Sequence, residues 1–432
     1  MLLHAESRVP TEIRGRQEFM PDTVLIVAAG PLQIPAIQTA RLLGLRTVAV
    51  DANPSAVGML LADQAYTVDI LDANAVGDIA SRENVRGILT LCTDAPVRTV
   101  AAVGTRLGLP VLTQEAAECA TDKRRMRLAF AAHSAPSPRF VQVASIGDAL
   151  LAAAHIDYPV ALKIAHSSGS RGVYRVADER ELHRFWASAR EYQPDGDLLI
   201  EEWLDGPEIS VEGVCCRGAI FVIQVTDKSV FPGPFPVESG HTQPSQFLPL
   251  HRATIEEAVT AGIRALGLDQ CGFHAELKMT PKGPRIIEIG ARLGGDRIAT
   301  HLTPLSTGVD LVRAVIDIAL GRRPDLQIRL DQGSAIRYFH APRGDVIAEI
   351  GSLDEVRAVP GLELLFPESE RDGPLGPGFK IPEIRSSLDR YGHVVFSGPT
   401  REEAAARAEA AARAIVSLFH LARPELVGTT LT

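Results

Sequence analysis

The 432-residue sequence is poor in cysteine. It has five, an odd number, two of them adjacent at Cys215 and Cys216, with no CxxC pair and no spacing suited to a metal. This argues against a disulfide framework and predicts a reduced, cytoplasmic protein. No apolar run approaches the ~18 residues of a membrane span, so no membrane segment is expected. Residues 1–20 lack an apolar signal core and read as a polar tail rather than a signal peptide. Basic surplus is missing as well. With a net charge of −9, general nucleic-acid binding is not expected, although a local basic cleft remains compatible with the charge. Both familiar glycine fingerprints are absent. The first turn reads Ala28-Ala29-Gly30-Pro31-Leu32-Gln33, which is not GxGxxG, and there is no GxxxxGK[ST]. Asp51, at the end of the second predicted strand, stands where a dinucleotide-binding domain keeps its ribose acid. Without the glycines it reads better as a cap on a strand edge.

The chain does have ample apolar material, 46% hydrophobic against 22% charged residues, and a length that suggests two to four domains of ~100–200 residues each. Residues 21–115 alternate strand and helix patterns: TVLIVAA, IPAIQTARLLG, RTVAVD, GILTLC, APVRTVAAVGTRLG and a short strand LPVL. Such alternation predicts a parallel, Rossmann-like α/β sheet. From 116 the pattern becomes α+β. A basic helix lies in ATDKRRMRLAF, helices are expected at 146–155 and 178–192, and strands near 160–165 and 197–202. Residues 207–300 are strand-rich, and a helix covers 308–320. Residues 329–432 give short strands, Gly/Pro turns and a last helix opened by Thr400-Arg-Glu-Glu403 as a capping box.

The stretch GFHAELKMTPKGPRIIEIGARLGGD, residues 272–296, predicts a hairpin about Thr280–Pro284. A loop centred on Lys282 pairs Met279 with Arg285 and sets Glu276 opposite Glu288. Phe273, Ala275 and Leu277 then share a core face with Ile287 and Ile289, while His274, Glu276, Lys278 and Glu288 share the other. Directly opposed carboxylates, ~5 Å apart, repel. A divalent cation between them would reverse the penalty, and Mg2+ suits one or two carboxylates plus phosphate oxygens. Two solvated acids beside Lys278 are the alternative.

Three other segments carry chemistry. PVALKIAHSSGSRG places Lys163 inside an apolar strand ahead of a Ser/Gly loop that includes Ser168, Gly169, Ser170 and Gly172. A strand lysine needs an anion or an outward face, and free loop amides can wrap phosphate. An ordinary hairpin with an edge lysine fits the same residues. LLIEEWLDGPEISVEG holds Glu201, Glu202, Leu204 and Glu208 in an extended run that could meet an adenine edge and ribose hydroxyls, or could present surface acids. PGPFPVESGHTQPS reads as a proline-stiffened loop over 232–245. Its Glu238 and His241 could bind an amino group or move a proton, or simply be solvated.

In this order the segments resemble the ATP-grasp superfamily of carboxylate–amine ligases over roughly residues 22–325. The resemblance implies an ATP-grasp fold with a Rossmann-like domain over 21–115, a two-part ATP-grasp domain over 116–328 with a lid at about 136–204, and a C-terminal α+β domain over 329–432 completing it. It also implies roles. Lys123, Lys163, Ser168, Gly169, Ser170 and Gly172 would contact phosphates, Glu201, Glu202 and Leu204 adenine, and Glu208 ribose. Glu276 and Glu288 would hold Mg2+, with Mn2+ as an alternative, and Arg292 would steady an acyl phosphate. Glu238, His241, Gly295 and Asp296 would meet small-molecule substrates. ATP would be consumed, with neither nucleic acid nor membrane involved, and a homodimer is the assembly to expect. EIGARLGGD together with VESGHTQPS resembles the L-amino acid ligase branch, which implies a carboxylate and an amine that are both amino acids. One departure stands out: where many members have Glu-x-Asn, this chain has Glu288-Ile289-Gly290, so a further metal or phosphate contact is missing. A carboxylation through carboxyphosphate and a non-catalytic ATP sensor are the rival readings.

Overall fold

The computed structural model describes residues 21–164, 172–232, 237–369 and 373–422. Strands β1 (Thr23–Val27), β2 (Arg46–Asp51), β3 (Gln64–Thr67) and β4 (Gly87–Leu89) form a sheet of order β3-β2-β1-β4, every pair parallel. All five residues of β1 are buried, as expected when both faces of a parallel sheet are covered. Asp51 caps the strand edge: its carboxylate accepts from the backbone N–H of Ala29 at 2.7 Å and of Asn53 at 2.8 Å. The expected strand LPVL does not form. Val111 instead packs against the preceding helix, so tightly that a Cβ on Gly104 would lie 2.5 Å from its Cγ1. Side-chain packing, rather than an edge ladder, holds that segment.

Strands β5 (Phe140–Val143), β6 (Val160–Ile164), β7 (Val173–Val176) and β8 (Leu198–Glu202) make an antiparallel sheet of order β5-β8-β6-β7. The largest sheet has nine strands. It comprises β9 (Glu208–Cys216), β10 (Ala219–Val230), β11 (Glu238–Gln243), β12 (Cys271–Thr280), β13 (Gly283–Gly290), β14 (Gly333–Tyr338), β16 (Leu362–Ser369), β17 (Gly373–Pro374) and β18 (Tyr391–Gly398), in the order β13-β12-β9-β10-β11-β14-β18-β16-β17. The remaining strands, β15 (Val346–Ile350) and β19 (Phe419–Ala422), pair with each other. Strands β14, β16, β17 and β18 therefore extend the same sheet that carries the hairpin, and helix Arg401–Ser417 packs Ala404, Ala408 and Ile415 into the core beneath the C-terminal strands.

In the hairpin, Glu276 and Glu288 are paired across β12 and β13. The expected turn register is corrected, however. Met279 faces Pro284 and Lys278 faces Arg285, and an irregularity between Glu276 and Leu277 restores the acid pair. It gives β13 one extra residue, which locally switches the face. Ile286, not Ile287, consequently joins Ile289 in the core, and Ile287 is only half-buried. On the core side Phe273, Ala275 and Leu277 pack with Met126, Phe130, Val259 and Ile263, each large side chain contributing about 1.5–3 kcal/mol. Alternation then delivers His274, Glu276 and Lys278 to the opposite face.

The expected loop over 232–245 is corrected too. Residues 233–236 lie outside the described residues, but Glu238–Gln243 is a strand between β10 and β14. Its apolar alternation is missing because its buried residues are polar and satisfy one another: Gln243 donates to Thr226 at 2.9 Å and Thr303 at 3.1 Å and accepts from Ser306 at 2.8 Å. Among the described residues no helix is long and apolar enough to cross a membrane.

Candidate active site

Helix Lys123–Ala132 is capped by Asp122, whose carboxylate accepts from the N–H of Arg124 at 2.9 Å. Lys123 and Arg127, four residues apart, project from one side of it. Arg127, wholly shielded from solvent, donates to both Glu201 oxygens at 2.7 and 3.1 Å and to the Ile287 carbonyl at 2.7 Å. Lys163 on β6 reaches the same carboxylate at 2.7 Å. Burial pushes the Glu201 carboxyl up, but Arg127 and Lys163 outweigh it and hold it down at about 2. Burial also lowers the Lys163 ammonium, against the pull of Glu201. Lys123 lies 3.0 Å from Glu288. Two lysines expected at phosphate thus come from a helix and a strand and end beside carboxylates of the candidate site. Ser168, Gly169 and Ser170 lie outside the described residues; Gly172, just before β7, has φ +67°. Glu202 accepts from the Arg139 N–H at 3.3 Å, and Leu204 is half-buried in the loop after β8.

Sequence reasoning missed the hub of the polar face, Lys228 on β10. It is buried and contacts Glu276 at 2.7 Å, Glu208 at 2.5 Å and Glu238 at 3.4 Å. Burial disfavours its charge, yet the three carboxylates raise its pKa well above the usual lysine value. Glu276 is held well below the ordinary range, because Lys228 and His274 outweigh its burial. Glu208 is also 3.2 Å from Lys278, so the expected ribose acid already carries cation partners. Lys228→Met should destabilise the fold by about 1–3 kcal/mol, since three half-buried acids would lose their shared cation. The readout is a lower thermal midpoint at pH 7 that recovers partly as the acids are protonated.

A second missed residue is Glu212 on β9, paired in register with His274. It accepts from the His274 ring at 2.5 Å and from the Gly294 N–H at 3.0 Å. Burial opposes protonation of His274, but Glu212 and Glu276 raise its pKa to about 9. A Cβ on Gly294 would meet Glu212 and His274 at 2.7 Å, which explains a glycine there: backbone must come close to the acid. Arg292 makes a two-pronged pair with Asp94, from the loop after β4, at 3.0 and 3.1 Å. Gly290 lies against this pair; a Cβ would be 3.1 Å from Arg292 and 3.2 Å from Asp94. The residue that replaces the usual asparagine therefore leaves room for the bridge.

Glu238 and His241 sit three apart on β11, yet a bulge brings them to one face: Lys228 pairs with His241 and Val230 with Glu238. The His241 Nε2 meets Asp296 at 3.0 Å, whereas its Nδ1 is buried without a partner. Asp296 accepts two bonds from Arg390 at 2.6 and 2.8 Å. These partners outweigh burial and keep its carboxyl well below the usual range. Arg390, another residue the sequence did not reveal, stands over the Tyr338 ring at 3.9 Å. Gly295 adjoins this pair, and nothing lies within 4 Å of a Cβ built on it. Lys228 and Arg390 thus link Glu276, Glu238, Asp296 and His241, while Lys123–Glu288 and Arg292–Asp94 form two further pairs.

Among the described residues no group of three or more His, Cys, Asp and Glu side chains is arranged to hold a metal ion. A magnesium site completed by phosphate and water does not need one. The Glu276 and Glu288 side chains stay 26% and 25% exposed, so this opposed carboxylate pair is open to, and fits, such a cation.

Residues 156–300 match the family model for the ATP-grasp domain, and residues 337–417 that for the L-amino acid ligase C-terminal domain 2. Human carnosine synthase 1 is 26% identical over 336 residues, covering 71% of this chain and 40% of that one. Alanine–anticapsin ligase of Bacillus subtilis is 28% identical over 245 residues, 51% of each chain. The chain therefore spans about half or less of these two relatives. The solved L-amino acid ligase of Bacillus licheniformis superposes with a TM-score of 0.76 at 22% identity, over 94% of this chain and 99% of that one, and shows the shared fold. Residues 156–300 are thus similar to the ATP-grasp domain family and residues 337–417 to the L-amino acid ligase C-terminal domain 2, and the relatives matched include a ligase and a synthase.

Proposed function

We propose that the chain joins the carboxylate of one amino acid to the amine of another, through an acyl phosphate, with release of ADP and phosphate. The observation that carries this reading is the Glu276–Glu288 pair with Lys123 at one end and Lys228 at the other. Phosphoryl transfer is limited mainly by charge on the moving group, so fixed cations around two acids suit it. Glu276 and Glu288 would hold a divalent ion, Mg2+ or Mn2+, whose charge offsets that of the phosphates. Lys123 and Lys163 neutralise phosphate oxygens. Adenine lies along Glu201, Glu202 and Leu204, with ribose near Glu208. Ser168, Gly169, Ser170 and Gly172 are the proposed phosphate contacts of the segment after β6. The substrate carboxylate takes the γ-phosphoryl group, and Arg292, released from Asp94, steadies the resulting acyl phosphate. The amine, oriented by Glu238, His241, Gly295 and Asp296, then displaces phosphate and forms the amide.

We further propose units at 21–115, 116–328 and 329–432, a cytoplasmic setting and a homodimer, the last checked by light scattering. The activity test is ADP and phosphate release across pairs of amino acids. Release that requires both partners is expected, and Glu288→Ala should reduce it at least ~100-fold. Bicarbonate-dependent release without an amine, or full activity of Glu288→Ala, would refute the reading.

A further inference from the structure

Asp296 and Arg297 are consecutive non-glycine residues in the left-handed region, with φ of +53° and +62°. Such backbone persists only where surrounding contacts over-determine it, and it marks functional sites. Here it sends two side chains to different partners. Asp296 meets Arg390 and His241. Arg297 lies over the Phe366 ring at 5.6 Å, beside His393, which stacks on the same ring at 5.0 Å. The other cations of this region are matched: Arg390 by Asp296, Arg292 by Asp94, Lys228 by three glutamates. The Arg297 side chain has neither an ion pair nor a hydrogen bond among the described residues, although its backbone carbonyl accepts from His301 and Leu302. Near it the His393 Nε2 is buried without a partner, as is the His241 Nδ1 on the far side of Asp296. Burial, with Arg297 next in effect, lowers the His393 pKa to about 3, so that ring does not supply a competing positive charge.

A half-buried guanidinium with one flat face on an aromatic ring and no acid presents its N–H fork to an anion. Planar carboxylates match that fork in two-pronged fashion. Arg297 follows Arg292 by five residues on the same loop, so a carboxylate at one end and an acyl phosphate at the other would bracket an incoming amine.

Resting on the proposed ligase reading, we propose that Arg297 is a specificity-determining residue that binds the α-carboxylate of the amine-donating amino acid. The side chain of that amino acid would lie toward Phe366, His393 and Tyr338, a wall supplied by the C-terminal strands.

The test uses the full chain and an amino-acid pair that supports ADP release, with the amine donor supplied as the free acid or as its α-carboxamide. In the wild type, kcat/KM for the carboxamide should be about 30-fold lower, the size of a charge-assisted pair. Arg297→Ala should raise KM for the free acid by about the same factor, leave KM for ATP and for the carboxylate donor within about twofold, and hardly affect the carboxamide. Arg297→Lys should recover part of the loss. Equal use of acid and carboxamide by the wild type, or a loss in Arg297→Ala shared by all substrates, would overturn the assignment. Failure of the wild type to release ADP with any pair would instead overturn the ligase reading itself.

Discussion

Arg292→Ala should lower kcat for ADP release by about 10²–10³, the cost of removing a preorganised donor from a developing anion. Arg292→Lys should recover only a fraction, because an ammonium cannot bond a phosphoryl group through two parallel N–H groups. The competing reading is that Arg292 merely ties the N-terminal unit to the large sheet through Asp94. Asp94→Asn separates the two. It weakens the tie while keeping the guanidinium, so a structural role predicts similar losses in both variants. A charge-stabilising role predicts a much larger loss in Arg292→Ala. The arginine stays protonated under all assay conditions: although burial disfavours its charge, Asp94 raises its pKa further above the usual value. The ratio of the two variants should therefore not vary with pH through titration of Arg292, and stopped-flow or coupled ADP assays can read it.

The regular parts of this molecule were legible because their signals are local. Alternating apolar strands and helices predicted the parallel N-terminal sheet, and the TPKGP turn predicted the hairpin that sets Glu276 against Glu288. The bulge that moves Ile286 into the core left no such signal, since positions 286 and 287 are both isoleucine. Strand β11 was hidden for a related reason: its inward residues, such as Gln243, pair with other buried polar groups and show no apolar alternation. The missed site residues Asp94, Arg127, Glu212, Lys228 and Arg390 lie far along the chain from their partners, so only tertiary folding joins them. Two had a readable trace. Arg127 follows Lys123 at the i+4 spacing of one helix face, and Lys228 is a strand lysine of the same kind as Lys163. Arg390 had none, being a charged residue between a polar turn and β18.

Glu201→Gln should give the largest stability loss, about 3–5 kcal/mol, because it leaves the fully buried Arg127 and Lys163 without their shared anion. The pH dependence follows from the same triad. The Glu201 carboxyl is depressed from an ordinary 4.5 to about 2, so its stabilisation is complete above pH 4.5 and is lost as pH falls through 2. Wild-type protein should lose that stability over this interval, while Glu201→Gln, lacking the ionisation, should show a flatter profile there. The function should suffer for a second reason. Lys163 already has its pKa lowered by burial, and Glu201 is what opposes that. Without the acid, more of the lysine would be neutral near pH 7, and nucleotide affinity should fall with its charge. The double variant Arg127→Met with Glu201→Leu distinguishes the two consequences. Apolar replacements of similar size remove the stranded arginine, so the thermal midpoint should return in part, with Lys163 still lacking its anion. Nucleotide affinity, read by calorimetric titration with a non-hydrolysable ATP analogue, should stay low. Recovery of both together would mean that Lys163 does not depend on Glu201 for its charge, and that the buried triad serves the fold alone.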